Sequence, residues 1–352
     1  MNSPQFYSWL RTLSAAFPML GAHQLRGLVL LSYGLVLSKQ ATLSQIALAL
    51  TSPRQVNTMV RRLQRWLSNP RLPWAAIQDR WVYWLLQRLP DRGLLLVDET
   101  KLSTHLGVMM VGVAVQGGCI PLIWRCYNPN AYPPEGQVNL ILGLLQRVVP
   151  FLTTPRDWAV LADRGIGTSS ALFSALPQLG LNALLRVQHT TRIRLASGCV
   201  LSLGALVNRP GQVWSGSGWV FKKAGWRRVV VHVYWASRQP EPWCLLSYDQ
   251  RVIPAMYALR FQHEVSFRDL KSDGWQWQRS RVWLPDHAER LVLALALSYA
   301  WVLLHGHLVV QHEPGPSRYG CFRRGLDFLR DRLRRHLPCL FTLSFWLPPP
   351  FP

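Results

Sequence analysis

Three carboxylates stand out in a chain that is short of acid, with 17 Asp and Glu against 39 Lys and Arg. Asp98 follows the apolar run 94–97 and Asp163 follows the apolar run 158–162. Short unbroken apolar runs are the pattern of strands buried on both faces. A carboxylate at the end of such a strand is costly to desolvate without a positive partner. Strand C-termini of open α/β sheets are also where ligands gather. Asp is a common loop cap as well, so each residue is either a cap or part of a ligand site. Glu264 comes with company. Tyr257, Arg260, Glu264 and Lys271 are offset by 0, 3, 7 and 14 residues. At about 100° per residue they fall within roughly 60° of one another on a helix. One face would then present a phenol, a guanidinium, a carboxylate and an ammonium, and Lys271 is one of only five lysines. The alternative is a solvated face on which Arg260 and Glu264 form an i,i+4 pair worth a few tenths of a kcal/mol. Glu99 is expected on the opposite side of its strand from Asp98, and Asp269 about 140° around the helix from Glu264.

Positioning these groups takes a sheet followed by a helix. Runs 94–97, 107–115 and 119–124 read as strands, the last two joined at Gly117-Gly118. Residues 136–151 read as a helix, 158–162 as a strand, 168–176 as a helix and 181–187 as a strand. Three antiparallel strands followed by two parallel additions is the element order of a ribonuclease-H-like domain, an α/β fold with a mixed sheet and flanking helices. That core spans 93–189 and 243–310. Between its parts, 190–242 is rich in Val, Trp, Arg and Gly and reads as a β-rich insertion. Residues 243–248 add a strand, and helices are expected from about Val252 to Ser272 and from Asp286 to His307. Residues 311–352 hold a basic helix over 323–337 and a tail with Pro348, Pro349 and Pro350.

Residues 1–92 read as a helical, basic, DNA-binding region. Thr42 and Gln45 have capping-box spacing, and Ser52-Pro53 reads as an N-cap with proline at the first helical position. The following helix would bury Val56, Val60, Leu63 and Leu67 and leave Arg54, Arg61, Arg62 and Arg65 outward. That is either a helix-turn-helix-like DNA contact or an ordinary solvated face. A third helix is expected over 74–89.

The charge is laid out in blocks. The formal net charge of +22 is +9 over 1–93, zero over 94–185, +7 over 186–249 and +6 over 250–352. A neutral centre between basic flanks suits a catalytic core held on a polyanion, most often nucleic acid, with anionic lipid or ribosomes as alternatives. The six cysteines form no CxxC pair and no zinc-ligand spacing, so free thiols in a reducing compartment are expected. The N-terminus has no secretory-signal pattern. The longest apolar run, 291–304, has 14 residues. A bilayer span needs roughly 20, and extending the run to Val310 takes in His305 and His307, so a buried helix is expected.

Here the sequence resembles a known family. Tyr257-x2-Arg260-x3-Glu264-x6-Lys271 matches the Y-R-E-K signature of a large group of bacterial insertion-sequence DDE transposases. VDET around Asp98 looks like that family's first Asp motif and ADRG around Asp163 like its second. The resemblance covers about residues 90–337. It implies DNA cleavage and strand transfer on a ribonuclease-H-like core, with a β-rich insertion between the second Asp and the Glu. It also implies that Asp98, Asp163 and Glu264 hold two Mg²⁺ ions, for which Mn²⁺ can stand in. Arg260 and Lys271 would hold phosphates and Tyr257 would hydrogen-bond one. Trp243 resembles a tryptophan that stacks on an extruded base, and Arg186 a basic residue that contacts DNA; a core Trp is the alternative for the first. The partners implied are double-stranded DNA, as element ends and target, and a second copy of the chain in the DNA complex, in the bacterial cytoplasm at the nucleoid and with no membrane. The rival readings are a catalytically silent transposase-derived DNA-binding protein, a stand-alone metal-dependent nuclease and a membrane-associated basic protein.

Overall fold

Apolar residues at helical spacing build the first 90 residues. The computed structural model describes residues 3–249, 254–313, 319–340 and 345. Five helices come first: α1 (Pro4–Ala16), α2 (Ala22–Ser38), α3 (Leu43–Leu50), α4 (Val56–Leu67) and α5 (Trp74–Leu86). In α4 the stripe Leu63, Trp66 and Leu67 is buried, and each such side chain contributes about 1.5–3 kcal/mol. Arg61 and Arg65 stay exposed on the other side, Arg62 and Val60 are half-buried, and Pro53 opens a 3-10 turn before the helix. The capping box at Thr42 does not form. Thr42 is the N-cap of α3 through its backbone, and its buried Oγ1 meets no hydrogen-bond partner among the described residues.

The period then changes to that of strands: β1 (Gly93–Leu102), β2 (Leu106–Val115) and β3 (Gly118–Tyr127). After them come α6 (Gly136–Val148), β4 (Trp158–Ala162), α7 (Arg164–Gly167), α8 (Ser170–Ala175) and β5 (Asn182–Val187). Four strands occupy the Val- and Gly-rich stretch: β6 (Arg192–Arg194), β7 (Val200–Ser202), β8 (Val213–Val220) and β9 (Arg227–Tyr234). The chain ends with β10 (Trp243–Ser247), α9 (Phe261–Lys271), α10 (Pro285–His312) and α11 (Cys321–Arg334). Val252, Pro348, Pro349 and Pro350 lie outside the described residues.

The chain divides into two compact units. Met1–Pro90, Glu99–Pro134 and Gln262–Pro348 form the first, and Asp91–Asp98 with Glu135–Phe261 forms the body of the second. Strand β1 therefore begins in the second unit and ends in the first.

In the first unit, β2 and β3 form an antiparallel pair from Gly107↔Tyr127 to Val115↔Gly118, with an irregularity at Val111 and Gly112. Gly117, at φ +93°, makes the turn, a backbone region open to glycine at little cost. Helix α10 has 28 residues, twice the length of the apolar run that marks it. By length and composition it could cross a membrane, yet most of it is buried inside the protein, packed on α2, α11 and β3. Gly306 and Gly325 let α10 and α11 approach closely, because a Cβ on Gly325 would lie 1.9 Å from the Val302 carbonyl oxygen. Two charged residues near the start of α10 bond inside the protein. Glu289 accepts from Trp74 Nε1 at 2.6 Å and from the Cys126 N–H at 3.0 Å, and Arg290 donates to the Leu67 carbonyl.

In the second unit the strands lie in the order β1-β4-β5-β10-β9-β8-β6-β7. The pairs β1/β4 and β4/β5 are parallel. From β10 onward the pairing is antiparallel, so β6 to β9 continue this sheet. Helix α7 packs on β4 and β5, and α6 on α8. The fold class is mixed α/β, a large mixed sheet with flanking helices.

Candidate active site

Three neighbouring parallel strands deliver a row of charge. The β1–β4 ladder ends at Val97↔Ala162 and the β4–β5 ladder at Ala162↔Leu185. The next residue on each strand is Asp98, Asp163 and Arg186. Adjacent strands lie about 4.8 Å apart, so two carboxylates and a guanidinium stand side by side where the parallel pairing stops. β1 itself does not stop at Asp98, as its apolar run suggests. It continues to Leu102.

Each acid in the row has a definite partner. Asp98 Oδ2 lies 3.6 Å from Arg260 Nη1, and the Arg260 side chain is buried. Asp163 is the N-cap of α7, its Oδ1 accepting the Ile166 N–H at 3.1 Å. It thus acts as a cap as well as standing in the row.

Tyr257 and Arg260 do not share a regular helix with Glu264 and Lys271. They lie on a 3-10 turn, Pro254–Arg260, and α9 begins at Phe261. In a 3-10 turn residues i and i+3 eclipse, so the phenol and the guanidinium share one edge. Packing selects the tighter winding: Tyr257 is fully buried, edge-on to Trp243 at 5.4 Å and 78°. Burial pushes the Tyr257 phenol up to about 12. Arg260 and Arg186 oppose the rise and Asp163 adds to it. At neutral pH the group is a hydroxyl, able to donate to an anion. Its oxygen is buried and meets no hydrogen-bond partner among the described residues; the Arg260 guanidinium beside it acts mainly through charge.

Trp243 opens β10 half-buried, tilted on Phe261 at 5.7 Å, with the Arg186 guanidinium 5.3 Å from its ring centre. The second unit thus gathers Asp98, Asp163, Arg186, Trp243, Tyr257 and Arg260. Glu264 and Lys271 belong to α9 of the first unit. Glu264 is exposed in its first turn. Lys271 Nζ donates to Thr100 Oγ1 at 2.9 Å, within that first unit.

The two acids set beside these point elsewhere. Glu99 accepts from the Tyr127 hydroxyl. Asp269 accepts from Tyr299 Oη at 3.0 Å, and burial raises its carboxyl to about 6.

Sequence reasoning missed Glu241. Its Oε1 lies 2.5 Å from Arg164 Nη1 and 3.1 Å from Arg186 Nη2, and its Oε2 lies 2.9 Å from His189 Nδ1. The available signal was Pro240-Glu241-Pro242, a carboxylate between two prolines in an acid-poor chain.

As a donor set, two carboxylates side by side offer hard oxygens of the kind Mg²⁺ prefers. Among the described residues no group of three or more His, Cys, Asp or Glu is arranged to hold a metal ion. A second basic surface lies on the first unit, where α4 exposes Arg61 and Arg65. Nearby, a cavity of about 730 Å³ is lined by Thr42, Gln64, Arg279, Arg281 and His287 among others. No protein-family model matches the chain, and no curated protein matches it in sequence.

Proposed function

We propose that this chain is a DNA transposase of the DDE type, built on a ribonuclease-H-like core with a β-rich insertion and an N-terminal DNA-binding region. The observation that carries the reading is the row Asp98, Asp163, Arg186, flanked by Tyr257, Arg260 and Trp243. Two acids to hold cations, beside two guanidiniums, a neutral phenol and a half-buried indole, suit a phosphodiester and its base. Also in favour are the antiparallel pair β2/β3 of the first unit and the parallel β1, β4 and β5 of the second. The net charge of +22 suits a DNA partner.

By the scheme the resemblance implies, Asp98, Asp163 and Glu264 would hold two Mg²⁺ ions, with Mn²⁺ able to substitute. Bound Mg²⁺ supplies charge neutralisation at the attacking and leaving oxygens of a phosphodiester. Arg260 and Lys271 hold phosphates beside the cut, and Tyr257 donates its hydroxyl hydrogen to a phosphate oxygen. Trp243 stacks on a base drawn out of the duplex, and Arg186 fixes the strand that carries it. The protein works as a dimer on two element ends at the bacterial nucleoid.

The test is a plasmid carrying the gene's own flanking DNA, incubated with purified protein with and without Mg²⁺, beside Asp98→Ala and Glu264→Ala. The expected result is Mg²⁺-dependent breaks at the element ends, lost in both variants while DNA binding persists. Cleavage retained by either variant overturns the assignment. A second reading, a DNA binder without chemistry, is favoured by the use of Asp163 as a helix cap. Salt-sensitive binding without breaks would select it, and cleavage without joining to target DNA would select a nuclease.

A further inference from the structure

Two arginines and a histidine of the second unit converge on one carboxylate. Arg164 is the first residue of α7, directly after Asp163. Arg186 is on β5, in the row with Asp163, and His189 follows that strand. Between them sits Glu241, from the connection of β9 to β10. Both guanidiniums meet Oε1 and the imidazole meets Oε2.

The carboxylate is held there by its backbone. Proline at 240 and 242 fixes its own φ, and the residue before a proline is driven into extended conformations. Glu241 therefore has little backbone freedom to swing away.

The charges do not balance. Two guanidiniums, always protonated, face one carboxylate. Each guanidinium has five N–H donors, and the contacts to Glu241 use one nitrogen of each. The side chains are not sealed in: Arg164 is 47% exposed and His189 44%. Arg186 also lies over the Trp243 ring, so the cluster adjoins an aromatic platform. A carboxylate with two oxygens on one charge is the nearest side-chain likeness to a phosphodiester with its two non-bridging oxygens.

The geometry points to a phosphate-binding cage of Arg164, Arg186 and His189 in which Glu241 is a built-in competitor, so that a DNA phosphate must displace this carboxylate to engage the cage. The inference rests on the reading that this face binds DNA and adds to it a gate and two residues, Arg164 and His189. The gate weakens the grip on random DNA. A ligand that also engages the rest of the site overcomes it.

The test measures binding of a labelled 30-base-pair duplex by fluorescence anisotropy, without divalent metal, across a range of salt. Glu241→Gln keeps the shape and removes the charge. It is expected to tighten Kd by about three- to tenfold at low salt and to steepen the log–log salt dependence by up to about one. Glu135→Gln makes the same change of net charge at an exposed site of the same unit and is expected to shift Kd less than about twofold. Arg164→Gln is expected to weaken binding and to remove most of the gain from Glu241→Gln in the double variant.

Unchanged or weaker binding by a Glu241→Gln protein that melts like the wild type overturns the gate, as does an equal gain from Glu135→Gln. If Glu241→Gln does not fold, Arg164→Gln alone decides: unchanged binding overturns the cage. A wild-type protein that binds no duplex at all removes the DNA reading itself, a result distinct from wild-type binding that Glu241→Gln leaves unaltered.

Discussion

The pair Asp98–Arg260 is the most direct test of how the site is held. At 3.6 Å and an effective dielectric of about 20, two unit charges attract by about 4–5 kcal/mol. Desolvation takes much of this back, since the two side chains are 18% and 8% exposed. Repulsion from Asp163, next in register, takes back more. The expected coupling is about 1–3 kcal/mol. The perturbations are Asp98→Asn, Arg260→Gln and the double variant, each close in shape to the native residue. Arg260→Gln is expected to cost about 2–4 kcal/mol, because it leaves the Asp98 carboxylate facing Asp163 without this cation. The double variant should cost less than the sum of the singles by the coupling energy. The assay is urea unfolding at pH 7, accepted only where the m-value is unchanged. Coupling below about 0.5 kcal/mol would refute the reasoning, since the ion pair would then be geometric only. A stabilising Asp98→Asn would refute it differently, by showing that repulsion between the two acids exceeds the attraction to Arg260.

Two further outcomes follow from buried acids of the first unit. Glu289→Ala leaves Trp74 Nε1 and the Cys126 N–H without their acceptor and should cost about 2–5 kcal/mol in chemical denaturation; Glu289→Gln should cost less, and equal losses would count against the hydrogen-bond account. Asp269 holds its proton more tightly folded, with a carboxyl near 6 against an ordinary 3.8. Its contribution is therefore fully present below about pH 4 and is lost as pH rises through about 6, by at most about 3 kcal/mol. Stability measured from pH 3.5 to 7 should show that fall in the wild type and a flatter curve in Asp269→Asn, and parallel curves would refute the assignment.

Local pattern carried the secondary structure wherever one period dominated. The unbroken run at 158–162 is β4 with the same bounds, and the hairpin at Gly117-Gly118 joins β2 to β3. The regular 100° spacing of Tyr257, Arg260, Glu264 and Lys271 misjudged its own geometry. The first two wind as a 3-10 turn, because burying Tyr257 against Trp243 outweighs the preference for a regular helix. The Thr42 capping box likewise had the right letters without the bond. Spacing lists which bonds are possible, and packing chooses among them.

The candidate site divides along the same line. Asp98 and Asp163 were legible because an acid directly after a buried apolar run is rare in a chain with so few acids. That they stand in one row with Arg186 depends on strand register, which is a long-range property. Glu241 was legible only as a glutamate between two prolines, for its meaning comes from Arg164, Arg186 and His189, which lie 52 to 77 residues away in sequence. By itself the sequence determined the basic charge, the apolar strands and the types of the chemical groups, which are properties of residues and of near neighbours. Only the tertiary structure decided which groups face one another, because Coulomb energy and desolvation depend on distances that the chain sets by folding.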